Sequence, residues 1–241
     1  MPVQGALAPP APRPAVRPDE GHGTARVRTG FGVRDGRAFV ELRARPAFHD
    51  LLDPQGGYVH GAQIDFLDLA LRAYPGAPDF RVHELRVLDI VSLAPRSELF
   101  PSISWRVDTA ITSEPVRGRR EAYFWRSGGG AGATAALGER ALAYAFAEAR
   151  LDVATQLSPA AALGAGASAG LLLGDARDRW RLHLHGRATQ FVAGDVHRTL
   201  AARLDQRLSL TRDDALELRL GATSDFGVAW LEAGLFWVRH F

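Results

Sequence analysis

The last seventy residues, 172–241, alternate between apolar and charged side chains with a period of two. Over residues 180–188 the even positions are apolar or small, and the odd positions are Arg, His, His and Arg. Successive side chains on a strand point to opposite faces, so this pattern predicts a strand with one apolar and one charged face. Three similar stretches follow, and residues that favour turns separate them at 194–195, 213–214 and 225–227.

Two architectures produce this alternation, and the C-terminus distinguishes them. A soluble antiparallel sheet turns its apolar face to a core and its charged face to water. A membrane barrel turns its apolar face to lipid and its charged face to the lumen. Residues 235–241 resemble the terminal strand of bacterial outer-membrane barrels, which the barrel-assembly machinery recognises, with Phe241 as the final aromatic residue and Arg239 as a departure. We therefore predict an outer-membrane location, with lipid and the assembly machinery as partners.

Residues 23–241 are predicted to form one closed antiparallel transmembrane β-barrel, an all-β fold of about 12 strands, since a tilted membrane strand needs about 9–11 residues. An even number of strands returns both chain ends to the periplasm. Residues 1–22 are rich in Pro and Ala and are predicted to be a disordered linker. Residues 62–72 are predicted to be a strand with a bulge near Phe66. The strand that starts at Arg119 is predicted to end in the glycine run at 128–130.

The composition excludes several classes of function. The chain has no cysteine, which excludes disulfides, thiolate metal sites and a cysteine nucleophile. The net charge is +2, so no overall field favours nucleic acid as a partner. No apolar signal-peptide segment precedes the first strand, and we expect the chain to be the C-terminal part of a longer protein or to have a misplaced start. The uncharged window 153–174 is long enough for a helical span, but its Ala, Gly, Ser and Pro159 favour strands joined by a turn.

Four runs of sequence carry a resemblance to a known family. They are GHGTARV at 21–27, ELRARPAFHDLLDP at 41–54, GGYVHGAQIDFLDLALR at 56–72 and LRVLDIVSLAPRSELFPSISWRVDT at 85–109. These runs resemble the C-terminal barrel region of the bacterial Lnb-type periplasmic-domain proteins, an outer-membrane family of unknown function. In longer members a periplasmic domain similar to a papain- or transglutaminase-like hydrolase precedes the barrel. The resemblance implies a location and an architecture, and it implies no catalytic residue for this chain.

The alternation assigns charged side chains to the lumen and apolar side chains to lipid. The residues predicted to form a network in the lumen are Arg26, Arg28, Glu41, Arg43, Arg106, Asp108, Arg181, His183, His185, Arg187, Arg203, Asp205, Arg207, Glu217 and Arg219. The residues predicted to face lipid are Trp105, Trp180, Leu182, Leu184, Leu204, Leu208, Leu216, Leu218, Leu235 and Trp237. Long side chains of both signs could fill the interior of a barrel of this size, provided that they pair. We therefore predict a plugged lumen.

Three functions remain open at this point. The first is a barrel that anchors a periplasmic domain, which would dock on the connections 46–61 and 95–101. The second is a narrow pore that prefers anions, because arginine is in excess. The third is an outer-membrane hydrolase, for which His49 and Asp50 are the candidate acid–base pair. His183 and His185 share one face of a strand, but their arginine neighbours repel a cation, so we predict no metal site, no cofactor and no catalytic residue.

Overall fold

In the computed structural model, which describes residues 21–56, 58–96, 101–117 and 120–241, the chain forms thirteen β-strands. Their bounds are β1 Arg26–Arg34, β2 Arg37–Arg45, β3 Ala47–His49, β4 Ala62–Tyr74, β5 Ala77–Ser92, β6 Ser104–Val116, β7 Arg120–Gly138, β8 Ala141–Val153, β9 Ala161–Gly174, β10 Trp180–Gly194, β11 Arg198–Ser209, β12 Asp214–Asp225 and β13 Val228–His240. Residues 1–20, most of the predicted linker, lie outside the described residues. The chain is already packed at Gly21 and His22, which are both buried.

Twelve of these strands form a closed antiparallel ring, which confirms the predicted fold class. Neighbours in sequence pair around the sheet, and β1 closes it on β13 with Arg26 opposite His240. The ring also closes between β2 and β4. The short strand β3 continues β2 beyond Pro46 and pairs with β4 in the same register. Since proline has no N–H to donate, it interrupts this strand without moving its partner.

The barrel wall buries charged side chains on its inner face and exposes apolar side chains on its outer face, which is the reverse of a soluble protein. Arg28, Arg207, Glu41 and Glu217 are among the largest fully buried side chains. Large apolar side chains are exposed along the long strands, and Trp237 for example is 52% exposed, whereas exposed charged residues such as Arg81 and Arg239 lie near strand ends. The arginines therefore do not face solvent outside a soluble core, and the fold is that of an outer-membrane β-barrel. Among the described residues no helix is long and apolar enough to cross a membrane.

The connections at the two ends of the barrel differ in length. We call the end where β1 begins and β13 finishes the terminal end, and the other the opposite end. The connections 46–61, which contains β3, and 93–103 lie at the terminal end. The turns at the opposite end are short: the turn between β8 and β9 spans residues 154–160, and that between β12 and β13 has two residues. The uncharged window 153–174 is this turn followed by β9.

Two strands differ from the simple alternation, each for a physical reason. In β4, Leu67 has a positive φ of 51° and both Phe66 and Leu67 are exposed, which shifts the inward face by one residue. The prediction that the strand after Arg119 ends in its glycine run is wrong, because β7 continues to Gly138. A Cβ on Gly130 would lie 2.7 Å from Cγ of Glu148. Glycine is needed here because it leaves room for that carboxylate inside the barrel.

Candidate functional site

The lumen is filled by ion pairs between alternate residues of neighbouring strands. Glu217 on β12 is one centre of this network, since Arg207 donates to it at 2.6 Å and Arg219 at 3.1 Å. Arg28 contacts Glu217 and also donates to Glu41 at 2.5 Å. Each of these carboxylates is 1% exposed. Buried charges of this kind are stable only when they are paired and hydrogen-bonded, and here both conditions are met.

A second group of ion pairs lies around β4, where the ring closes on β2. Arg72 donates to Glu41 at 2.7 Å and to both oxygens of Glu232 at 2.6 and 2.8 Å. Arg43 bonds Asp68 at 3.2 Å and also contacts Glu84. Of these side chains the sequence analysis identified only Glu41 and Arg43. The charges of β4 were missed because the bulge at Leu67 changes which residues point inward.

The third group has more arginines than carboxylates. Arg106, Arg150 and Arg187 converge on Asp108 at 3.3–3.5 Å, and Arg187 also contacts Glu148 at 2.8 Å. These groups line a cavity of about 360 Å³, whose walls carry thirteen arginines and eleven carboxylates. The cavity is therefore strongly polar and close to electrically balanced.

The structure shows where the predicted site residues lie. All fifteen residues assigned to the lumen lie on the inner side of the wall, either along the cavity or, for Glu41 and Arg181, buried beside it. Nε2 of His183 and the Tyr144 hydroxyl share a hydrogen bond of 2.7 Å, and the His183 ring stacks on the ring of His185. In the described ranges no third ligating side chain joins this pair of histidines. The ten residues assigned to lipid lie on the outer side.

A loop folds back into the barrel and closes the terminal end. Asp53, which is 0% exposed, accepts hydrogen bonds from Arg45 at 2.9 Å and from the Asp50 amide at 2.8 Å, and it also contacts Arg207. Burial alone would raise the pKa of the Asp53 carboxyl, but Arg45 and Arg207 hold it well below its usual range. Burial alone would also raise the pKa of the Asp50 carboxyl, but Arg207 and Arg26 hold it well below its usual range. Both groups therefore remain charged and hold the loop in place.

Apolar side chains pack beneath this loop. The buried cluster consists of Leu51, Val91, Leu93, Leu142, Tyr144, Phe146 and Leu172. The first half of the connection 46–61, predicted to be a docking surface, is thus inside the mouth, and Val59 and His60 project from its second half. The other predicted docking connection, 95–101, includes residues 97–100, which lie outside the described residues.

A second apolar cluster closes the opposite end. It consists of Val116, Ala122, Phe124, Ala154, Leu157, Ala162 and Phe191. Leu157 belongs to the turn 154–160, which therefore folds over the mouth and does not extend from it. The His197 ring lies between Phe191 and Phe226, with centroid distances of 4.1 and 3.9 Å. Among the described residues, apolar clusters therefore pack at both ends of the lumen.

One buried carboxylate holds the turn at the opposite end. Asp195 accepts a hydrogen bond from the Ser158 amide at 2.8 Å and is paired with Arg117. Burial alone would raise the pKa of the Asp195 carboxyl, but the hydrogen bonds from Arg117 and Ser158 hold it below its usual 3.8. The closure of this end therefore depends on a charged Asp195.

Comparisons with known proteins identify a family and a fold. The family model described as a domain of unknown function, DUF7840, matches residues 15–240. No curated protein matches the chain in sequence. Similar solved structures include the KdgM porin in complex with disordered oligogalacturonate (5% identity, TM-score 0.48, 90% of this chain and 99% of the porin covered) and OmpT of Vibrio cholerae (8%, 0.43, 90% and 96%). An anion-selective porin from Comamonas acidovorans gives 11% identity and a TM-score of 0.38, with 90% and 99% covered. At these identities and scores no solute or function is carried over to this chain.

Proposed function

The chain belongs to the DUF7840 family of domains of unknown function, and we propose that this member is a plugged outer-membrane barrel that anchors a periplasmic domain. The observation that supports the proposal is the packing of side chains at both ends of the lumen. The loop held by Asp50 and Asp53 fills one mouth, and the cluster around Phe124 and Phe191 fills the other. A barrel closed in this way provides a wall through the membrane without a path for solutes.

The outer surface supports a location in the bacterial outer membrane. A ring of strands has no unpaired edge, so every backbone polar group in the wall is satisfied without water. Charged substitutions on a lipid-facing surface are costly, and Leu184, Leu218 and their neighbours on this surface are apolar. The strands of the ring are 9–19 residues long, which is sufficient for a tilted strand to cross a bilayer.

The arrangement of the ends supports an anchoring role. The described chain enters the barrel at Gly21 on the terminal end, where the longer connections also lie. A domain that precedes the barrel would therefore meet this end, where Val59 is 75% exposed. The resemblance of residues 21–109 to the Lnb-type barrel region supports the same arrangement, because a hydrolase-like domain precedes the barrel in the longer members of that group.

Conductance across a planar bilayer tests the plug. The 241-residue chain is refolded in detergent, shown to be folded by its altered gel mobility before heating, and added to the bilayer with a known porin as positive control. We expect no discrete current steps from this chain. Anion-selective steps from the folded sample would overturn the plug and would support the alternative of a narrow pore, for which the excess of arginine around Asp108 is the favourable observation.

Orientation is tested with a matched pair of variants, which is possible because the chain has no cysteine. Val59→Cys places a thiol at the terminal end, and Val196→Cys places one in the short turn between β10 and β11 at the opposite end; both valines are exposed. A membrane-impermeant maleimide added to intact cells should label Val196→Cys alone, and Val59→Cys only after the outer membrane is permeabilised. The reverse pattern, or no labelling of either variant before permeabilisation, would contradict the proposal.

The same pair of variants tests the anchoring itself. A photoactivated cross-linker attached to Val59→Cys should join the barrel to a periplasmic domain of the hydrolase class. The linker on Val196→Cys should give no such product, because that side chain lies at the other end of the barrel. If the folded barrel gives no cross-linked product specific to Val59→Cys, the anchoring role is refuted, and the proposal of a plugged lumen is not affected.

A further inference from the structure

We propose that His22, His49, His240 and Asp53 form a binding site for one divalent transition-metal ion at the terminal end of the barrel. The inference is independent of the anchoring role. It rests on the way in which the described residues bring together four side chains that are far apart in the sequence.

Donor atoms of His22, Asp53 and His240 all lie within 4.8 Å of one another, and His49 stands beside the first two of these residues. Nε2 of His22 lies 3.1 Å from Nδ1 of His49, and Nε2 of His240 lies 3.1 Å from Oδ1 of Asp53. Oδ2 of Asp53 lies 4.0 Å from Nε2 of His22 and 3.8 Å from Nδ1 of His49. A tetrahedral zinc ion with bonds of about 2.0–2.1 Å requires separations of about 3.4 Å between its ligands. His22, His240 and Asp53 would therefore be the first three ligands of the ion, and the His49 ring would turn toward it as the fourth.

The first histidine is already oriented as a ligand. Nδ1 of His22 donates to the carbonyl oxygen of Gly23 at 2.7 Å, which leaves the lone pair of Nε2 directed at the cluster. Metal-ligating imidazoles commonly have such a partner on their second nitrogen.

The second histidine is held by the loop. Nε2 of His49 accepts from the Gln55 amide at 2.9 Å, and the ring stacks on Tyr58 with a centroid distance of 4.2 Å. In this tautomer Nδ1 of His49 carries the proton and donates it to His22. An ion bound at Nδ1 of His49 would require that proton to move to Nε2, where the side-chain oxygen of Gln55 could accept it once the Gln55 amide has turned.

The arginines around Asp53 do not cancel the site, because each has another carboxylate. Arg26 is paired with Asp50, Arg45 with Asp65 and Arg207 with Glu217. The same three arginines also contact Asp53, so a bound ion would share the Asp53 carboxylate with them. A donor set of three imidazoles and one carboxylate favours zinc, cobalt, nickel or copper over magnesium or calcium.

The position of the site gives it a structural consequence. His22 lies four residues before β1 begins, and His240 is the last residue of β13, so both stand at the seam where the ring closes. His49 and Asp53 belong to the connection that fills this mouth. One ion would therefore join both sides of the seam to the plug, and its removal would loosen all three segments together.

Titration of the folded, metal-free barrel with Co²⁺ tests the proposal. We expect one ion per chain, with the visible absorption bands of tetrahedral cobalt, and displacement by Zn²⁺. His22→Gln and His240→Gln should each weaken binding by about 100-fold or more, since even second-shell changes cost 10–100-fold. His60→Gln is the matched control, because His60 is an exposed histidine of the same loop and lies outside the cluster.

Three outcomes would overturn the proposal. They are no binding by the folded wild-type chain, equal binding by His22→Gln, and equal loss in His60→Gln. Gel mobility before heating shows whether each variant is folded. If His240→Gln does not fold, His22→Gln decides alone, because His22 lies outside the strands.

Discussion

Replacement of Glu217 by Gln removes the charge at the centre of the lumen network while keeping the shape of the side chain. Glu217 is 1% exposed and contacts Arg28, Arg207 and Arg219. The variant leaves these three guanidinium groups with one carboxylate fewer. Breaking a buried ion pair by removing one partner typically costs about 3–5 kcal/mol.

The cost should lie near the lower limit of that range. Arg28 keeps its bond to Glu41, Arg219 keeps Asp205, and Arg207 keeps its contacts with the loop. We therefore expect a loss of about 3 kcal/mol in the free energy of unfolding, or roughly 150-fold in the equilibrium constant.

Equilibrium unfolding by urea in lipid vesicles measures this change, with the fluorescence of the five tryptophans as the signal. Glu139→Gln, at the exposed turn between β7 and β8, provides the control and should change stability by no more than about 0.5 kcal/mol. If Glu217→Gln costs no more than the control, the lumen must contain enough water to screen its charges. The description of a closed, self-paired interior would then be refuted.

Three further predictions concern the packing, the lipid-facing surface and the opposite mouth. Gly170→Ala should destabilise the barrel by about 1–3 kcal/mol in the same assay, because the added Cβ would lie 2.4 Å from the Tyr144 ring, and an unchanged midpoint would show that the ring moves freely. Leu218→Lys should cost about 2–4 kcal/mol in vesicles while Val59→Lys costs little, and equal costs would argue against a lipid-facing Leu218. Asp195→Asn should increase protease cleavage within the turn 154–160, and acid should do the same. Because the pKa of Asp195 is depressed in the folded state, its carboxylate stabilises the fold fully above pH 3.8, and this stabilisation is lost as the pH falls through the lower folded pKa. Increased cleavage already at pH 6 would contradict the assignment.

Strands with regular alternation could be predicted from the sequence alone. In β10 and β11 the inward residues are paired directly by the register, with Arg181 opposite Arg207, His183 opposite Asp205 and His185 opposite Arg203. Period-two patterning is sufficient to assign both faces of such strands. It fails in β4, because Phe66 and Leu67 are both exposed and the buried positions change from Asp65 before them to Asp68 and Ala70 after them.

The closures of the two mouths could not be predicted, because they depend on contacts between distant segments. Nothing in the local sequence of Asp53 indicates that it meets Arg207, which is 154 residues away. His22 and His240 lie at the two ends of the described chain and become neighbours only when β1 pairs with β13. A strand pattern gives the face of a side chain, whereas the partner of a loop residue depends on how the loop folds.

The terminal end is the part of the molecule best placed to bind another protein. The wall presents apolar side chains that suit lipid, and the lumen is occupied by charges that pair with one another. At the opposite end the described turns are short, and the longest of them, 154–160, packs Leu157 into the mouth. The terminal end combines both chain ends, the longer connections and the exposed Val59. The loop turns Asp50 and Asp53 inward and Val59 outward, so under the proposed anchoring role the outward part of this loop is where a periplasmic domain would dock.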